Sequence, residues 1–170
     1  MKKMMIVALL IGGAIMAAAI AATKPENPAN NNPELLAIHM IAKHEGFRST
    51  PYKCPGGKMT IGYGFTDEAL VKKGTITRKE ADRELGIRVR AELAFLRKQV
   101  SGLTPKQEAA LVSFIYNVGQ GAFLKSTLLK RVKEGNWKAA QQEMMRWVYA
   151  NGKVMKGLVA RRKSEAKYLG

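Results

Sequence analysis

His44-Glu45-Gly46-Phe47-Arg48-Ser49-Thr50-Pro51-Tyr52-Lys53-Cys54-Pro55-Gly56-Gly57-Lys58-Met59-Thr60-Ile61-Gly62-Tyr63-Gly64-Phe65 is a junction between two kinds of periodicity. Up to Glu45 the pattern is helical. Asn32 can cap a helix, Pro33 fits its first position, and Glu34 lies at the positive end of the dipole. Leu35, Ile38, Ala42 and Glu45 recur on one side at helical spacing, with Ile41 beside them, and Gly46 supplies the stop. Beyond Phe47 the chain turns extended: Pro51, Pro55 and Gly56-Gly57 break helix and make turns. Met59, Ile61, Tyr63 and Phe65 alternate with Thr60, Gly62 and Gly64, which predicts a small hairpin region. One face bears bulky apolar side chains, the other a threonine and two glycines.

Downstream of Gly74 the pattern is helical almost to the end. Thr77-Arg78-Lys79-Glu80 is a capping-box signature, and Ala81, Leu85, Val89, Leu93, Leu96 and Val100 form one apolar stripe along a long helix. Thr104-Pro105-Lys106-Gln107 opens another helix, with Leu111, Phe114 and Ile115 as core candidates and Gly119 and Gly121 closing it. Ser126 and Asn136 can cap two more helices separated by Gly135, Asn151-Gly152 marks a turn, and a basic helix runs through Arg161, Arg162 and Lys163. The result is an α+β fold: a small hairpin lobe and a mainly helical lobe joined by a long helix. Such an arrangement leaves a groove suited to a polymer.

The 170 residues suffice for one well-buried core, with an N-terminal extension. The formal net charge of +16, nearly all beyond residue 23, draws the folded part to polyanions or simply keeps it soluble. Met1-Lys2-Lys3 precedes an uncharged stretch from Met4 to Thr23, which reads as an export segment. Ala17-Ala18-Ala19 and Ala19-Ile20-Ala21 fit a cleavage pattern, so residues 1–23 are either a cleaved signal peptide or a signal-anchor helix. Rich in Gly and Ala, that helix is weakly held in lipid. Residues 24–32, with Pro and Asn prominent, read as a linker, and 33–170 as the folded domain. Cys54 is the single cysteine, so disulfide logic gives no support to export.

Glu45 sits on the apolar side of a helix and in its last turn. Partial burial and the negative end of the macrodipole both favour the protonated carboxylic acid there. Cleavage of a glycosidic bond needs such an acid, because the leaving alkoxide must receive a proton. Pairing with Lys43 or Arg48 at the surface is the plainer alternative. Glycines at 62 and 64, beside Thr60, clear space for something to approach the backbone, or else serve strand packing.

Taken together these residues resemble a known family. His44-Glu45-Gly46-Phe47-Arg48, Pro51-Tyr52-Lys53-Cys54 and Thr60-Ile61-Gly62-Tyr63-Gly64 look like the catalytic segment of the phage-type lysozymes, the endolysins of glycoside hydrolase family 24. Ala110-Leu111-Val112-Ser113-Phe114-Ile115-Tyr116-Asn117-Val118-Gly119 looks like that family's central helix, and Ser126-Thr127-Leu128-Leu129 like its next one. Arg146-Trp147, Gly157-Leu158 and Arg161-Arg162 are similar to its C-terminal, substrate-facing elements. The resemblance runs from about Pro33 to the C-terminus. It implies a lysozyme-like fold and a muramidase that cuts the β-1,4 bond between N-acetylmuramic acid and N-acetylglucosamine. Glu45 is then the acid in a Glu45, Cys54, Thr60 triad, with Tyr52, Gly62, Gly64, Asn117, Arg146 and Trp147 meeting the glycan.

Two departures stand out. Cys54 occupies a place where the family often has aspartate, and a thiol replaces a carboxylate only when ionised. Base, nucleophile toward the sugar, and small buried residue remain open roles for it. Phe65 stands where a histidine is common, so the site is expected to rely less on a neighbouring ion pair. Trp137 and Trp147 could be core, Asn117 a helix cap, and Arg146, Arg161 and Arg162 basic surface.

Two other functions compete. A cysteine amidase or endopeptidase would use Cys54 with His39 or His44, though both histidines precede Cys54 on one helix. A non-enzymatic cationic protein would use the basic helix near Arg161 on membranes. Metal ligation is not expected, because His39 and His44 splay on a helix, and neither cofactor nor nucleic-acid motifs are found. The reading is a monomer, exported to the periplasm or beyond, acting on peptidoglycan strands and tethered to the membrane if the first segment stays attached, as in signal-arrest-release.

Overall fold

Asn32 opens the first helix as its sequence requires, its side chain accepting hydrogen bonds from the backbone N–H groups of Glu34 and Leu35. The computed structural model describes residues 31–54 and 57–170; the expected N-terminal apolar helix and most of the expected linker lie outside them. Helix α1 (Pro33–Glu45) ends at Gly46, whose φ of 68° is in the left-handed region. It packs on α4 (Pro105–Val118) and α3 (Arg78–Gln99), and Ala37 and Ile41 enter the core. The expected apolar line starting at Leu35 is corrected: Leu35 is 49% exposed, at the edge of a hollow facing the last helix, while Ile38 and Ala42 are only partly buried.

Strands β1 (Arg48–Lys53) and β2 (Met59–Gly62) pair antiparallel, with Tyr52 opposite Thr60 and Lys53 opposite Met59. The expected alternation to Phe65 does not persist as a strand. Gly62 and Gly64 adopt φ of 65° and 85°, and Ile61 and Phe65 close on each other through two backbone hydrogen bonds of 2.9 and 2.8 Å. The chain therefore folds over at residues 62–64 and buries Ile61, Tyr63 and Phe65 together, while Met59 stays half-exposed.

A short helix, α2 (Glu68–Lys73), precedes the point at which helical structure was expected to resume. The long helix α3 has the full capping box between Thr77 and Glu80, and Ala81, Leu85, Val89, Leu93 and Leu96 are buried along one stripe. It is about 33 Å long at 1.5 Å per residue and runs from the hairpin lobe into the helical lobe. Thr104 and Gln107 cap α4 in the same way, and Leu111, Phe114 and Ile115 have no exposure.

Gly119 ends α4, but Gly121, expected to help close it, lies inside α5 (Gln120–Leu124). Helices α6 (Thr127–Lys133) and α7 (Trp137–Met144) begin at the Ser126 and Asn136 caps. The helical run is then interrupted by a tiny hairpin, β3 (Tyr149–Ala150) and β4 (Lys153–Val154). Asn151 and Gly152 turn it with φ of 49° and 72°, both left-handed as a two-residue hairpin turn requires. Helix α8 (Lys156–Ala166) packs on α4 and α7. Its Arg161 and Arg162 are 4% and 0% exposed, so they are interior residues and no part of a basic surface.

Candidate active site

Glu45 is the last residue of α1, and the turn at residues 62–64 brings the hairpin lobe against its carboxyl group. A cavity of about 210 Å³ opens there, lined by Glu45, Tyr52, Cys54, Thr60 and Gly64, with Thr66, Tyr116 and Asn117 completing the wall. A methyl group at Gly64 would stand 3.1 Å from Glu45 Oε2, so the missing side chain is what keeps that oxygen clear. Gly62 is corrected: it lines neither this cavity nor the hollow next to it. A methyl there would meet the buried Phe65 ring at 2.6 Å, so its role is packing.

Cys54 and Thr60 are held by one carbonyl. The Cys54 N–H donates to Lys58 O at 2.9 Å and the Thr60 hydroxyl donates to the same oxygen at 3.1 Å. With its proton used in this way, the buried Thr60 hydroxyl offers lone pairs to the cavity. On the other wall the Tyr116 hydroxyl donates to Tyr63 O at 2.8 Å, fastening the glycine turn to α4. Burial raises the Tyr116 and Tyr52 phenols above their ordinary range, and the Glu45 charge adds to both.

Arg161 lies behind Glu45. Its Nη1 donates to Glu45 Oε1 at 2.6 Å, its Nε to Glu165 Oε1 at 3.0 Å, and its Nη2 to Ser113 O at 3.0 Å. The expectation that the site relies less on a neighbouring ion pair is therefore corrected: Phe65 is core, and a guanidinium from α8 supplies the charge. Arg162 stacks over the Phe114 ring at 4.7 Å, pairs with Glu165 at 2.9 Å, and donates to Asn117 Oδ1 at 2.9 Å. Asn117 thus spends its carbonyl on Arg162 and does not cap its own helix. Burial lowers the Arg162 guanidinium to about 10.

Arg146 and Trp147 are not at Glu45. They line an adjoining hollow of about 440 Å³ with Tyr149 and Leu158, and Asn117 borders both spaces. Trp147 is partly buried, edge-on to Phe114 with centroids 5.3 Å apart, so it is at once core and wall. Trp137 packs against the core. Sequence reasoning missed Thr66, Tyr116 and Tyr149 as wall residues, and Arg161 and Glu165 as the electrostatic backing. The spacing of Arg161, Arg162 and Glu165 on one helical side was the available signal for the last two.

The histidines needed by the cysteine-dependent alternative are elsewhere. His39 and His44 line a different hollow, between α1 and α8, and His44 Nε2 is 2.7 Å from Ser164 Oγ. Arrayed around the cavity are the Glu45 carboxyl group at an edge, the Cys54 thiol and the hydroxyls of Tyr52, Thr60, Thr66 and Tyr116. Such a set can donate a proton to a leaving oxygen and orient a water.

The sequence profile described as phage lysozyme matches residues 42–165, from just before Glu45 to Glu165. The chain belongs to the phage lysozyme family. As a phage lysozyme it is a hydrolase acting on peptidoglycan, working on the periplasmic or outer side of the membrane. It is 34% identical over 165 residues to the SAR-endolysin of Bacteriophage PS119, covering 94% of this chain and 89% of that one. The endolysin of Acyrthosiphon pisum secondary endosymbiont phage 1 is 36% identical over 131 residues, covering 74% and 89%. The lysozyme fold is also that of the muramidase domain of SpmX from Asticaccaulis excentricus. That match has a TM-score of 0.70 and 34% identity, over 78% of this chain and 93% of that one. The endolysin from Escherichia coli O157:H7 phage FAHEc1 gives 0.70 and 31%, over 79% and 90%.

Proposed function

We propose that this phage lysozyme is a muramidase that hydrolyses the β-1,4 bond between N-acetylmuramic acid and N-acetylglucosamine, with Glu45 as the proton donor. The observation that carries the reading is the position of Glu45 at the edge of a cleft, its two oxygens unequally placed. Oε1 accepts from Arg161, while Oε2 faces the space cleared by Gly64. The acidic proton therefore belongs on Oε2, where it can pass to the oxygen of the leaving sugar. Arg161 then stabilises the carboxylate left behind.

On the hairpin side, Thr60 holds the water that attacks the sugar, and Cys54 assists as the thiolate, in the place of the second carboxylate of the usual pair. Asn117, Arg146, Trp147 and Tyr52 flank the glycan along the cleft. The N-terminal segment of residues 1–23 exports the enzyme and tethers it to the membrane before release, a reading supported by the SAR-endolysin names of its relatives. The enzyme acts as a monomer.

Mass spectrometry of purified peptidoglycan after digestion tests the bond assignment. New reducing sugar ends at N-acetylmuramic acid are expected. New free amino groups, or reducing ends at N-acetylglucosamine only, would overturn it.

A further inference from the structure

Glu165 is a carboxylate with no exposed surface and no contact with the cleft. It holds both buried cations of α8. Its Oε1 accepts from Arg161 Nε at 3.0 Å and from Ser113 Oγ at 2.7 Å, and its Oε2 is 2.9 Å from Arg162 Nε. Burial pushes the Glu165 carboxyl up from its ordinary range, and the charges of Arg162 and Arg161 together with the Ser113 hydrogen bond pull it back toward the ionised form. Arg161 is thereby gripped at all three nitrogens, by Glu165, by Ser113 O and by Glu45. A planar cation held on three edges cannot turn away from Glu45.

We infer that Glu165 is a positioning residue that sets the proton affinity of Glu45 through Arg161. The inference rests on the reading of Glu45 as the acid. Two guanidiniums lie behind Glu45, and Glu165 cancels the charge of one. Without that cancellation the surplus positive charge would strip the proton from Glu45 and remove the acid that the reaction needs. The other groups facing Glu45 are Arg161 and Arg162 on α8, Tyr116 on α4, and Tyr52 and Cys54 on the hairpin, while His44 on its own helix lies in the hollow toward α8. Of these, Arg161 is the one in direct contact with both carboxylates.

The charge account predicts opposite effects from two buried substitutions in the full chain. Glu165→Gln keeps the shape, loses the negative charge, and moves the alkaline limb of the activity profile down by about one pH unit. Arg162→Met removes the second cation, leaves a side chain able to pack on Phe114, and moves that limb up by a similar amount. Carboxyl-carbon NMR, with Glu45 assigned by the signal lost in Glu45→Gln, reports the same shifts without activity. A purely structural Glu165 would lower activity at every pH with the limb and the resonance unmoved, and that result overturns the inference. If Glu165→Gln fails to melt cooperatively, the direction of the Arg162→Met shift decides alone. Reducing-end release undiminished in Glu45→Gln would instead overturn the acid assignment itself.

Discussion

Arg161 Nη1 lies 2.6 Å from Glu45 Oε1, although 116 positions separate the two residues in the chain. The pair joins the end of the first helix to the middle of the last. Breaking it leaves Glu165, fully buried, with one cation fewer. Arg161→Met is therefore expected to cost about 3 kcal/mol of stability and more than about tenfold in wall-clearing rate per folded molecule. Chemical denaturation and turbidity clearing measure the two effects.

The two glycines of the hairpin turn separate stability from chemistry. Gly62→Ala puts a methyl 2.6 Å from the Phe65 ring and strains a left-handed backbone, so a loss of about 2–3 kcal/mol is expected with activity per folded molecule largely kept. Gly64→Ala strains the backbone as well, but its methyl meets Glu45 Oε2 at 3.1 Å. Its kcat should fall by about tenfold or more beyond what any loss of folded protein explains. Equal kcat losses in the two variants contradict the assignment.

Cys54 is expected to act through its charge. Cys54→Asp should then keep activity within about tenfold of the parent, while Cys54→Ala loses more than that. Full activity in Cys54→Ala would reduce the residue to packing. Steady-state release of reducing ends provides the comparison.

Ser164 Oγ donates to Arg161 O at 2.8 Å and lies 2.7 Å from His44 Nε2. Burial, followed by the charges of Arg161, Lys43 and Arg162, lowers the His44 imidazole from its ordinary 6.5 to about 4. Between those two values the unfolded chain binds a proton that the folded one does not, so stability falls as pH drops from 6.5 toward 4. At a site partly screened by water the loss is on the order of 1–2 kcal/mol. His44→Gln should flatten this slope of melting temperature against pH; an unchanged slope contradicts it.

The helix caps at Asn32, Thr77, Thr104, Ser126 and Asn136 were legible in the sequence, because each is a hydrogen bond closed within three residues. The grouping of Glu45 with Cys54 and Thr60 came from a resemblance, since no local periodicity places a helix end against a hairpin. Gly62 was misread because alternation in the sequence implies an extended strand, whereas two left-handed glycines fold it over. The pairing of Glu45 with Arg161 is a product of tertiary packing, and a run of two arginines looks like surface until α4 covers it. Helix α2 and the β3–β4 hairpin are too short for periodicity to show.

The most direct measurement is reducing-end release from purified peptidoglycan by the wild type and by Glu45→Gln, with circular dichroism and melting curves recorded on both. The account predicts a Glu45→Gln protein as well folded as the wild type whose release is lower by at least about a hundredfold. Release within severalfold of the wild type by that folded variant would contradict it.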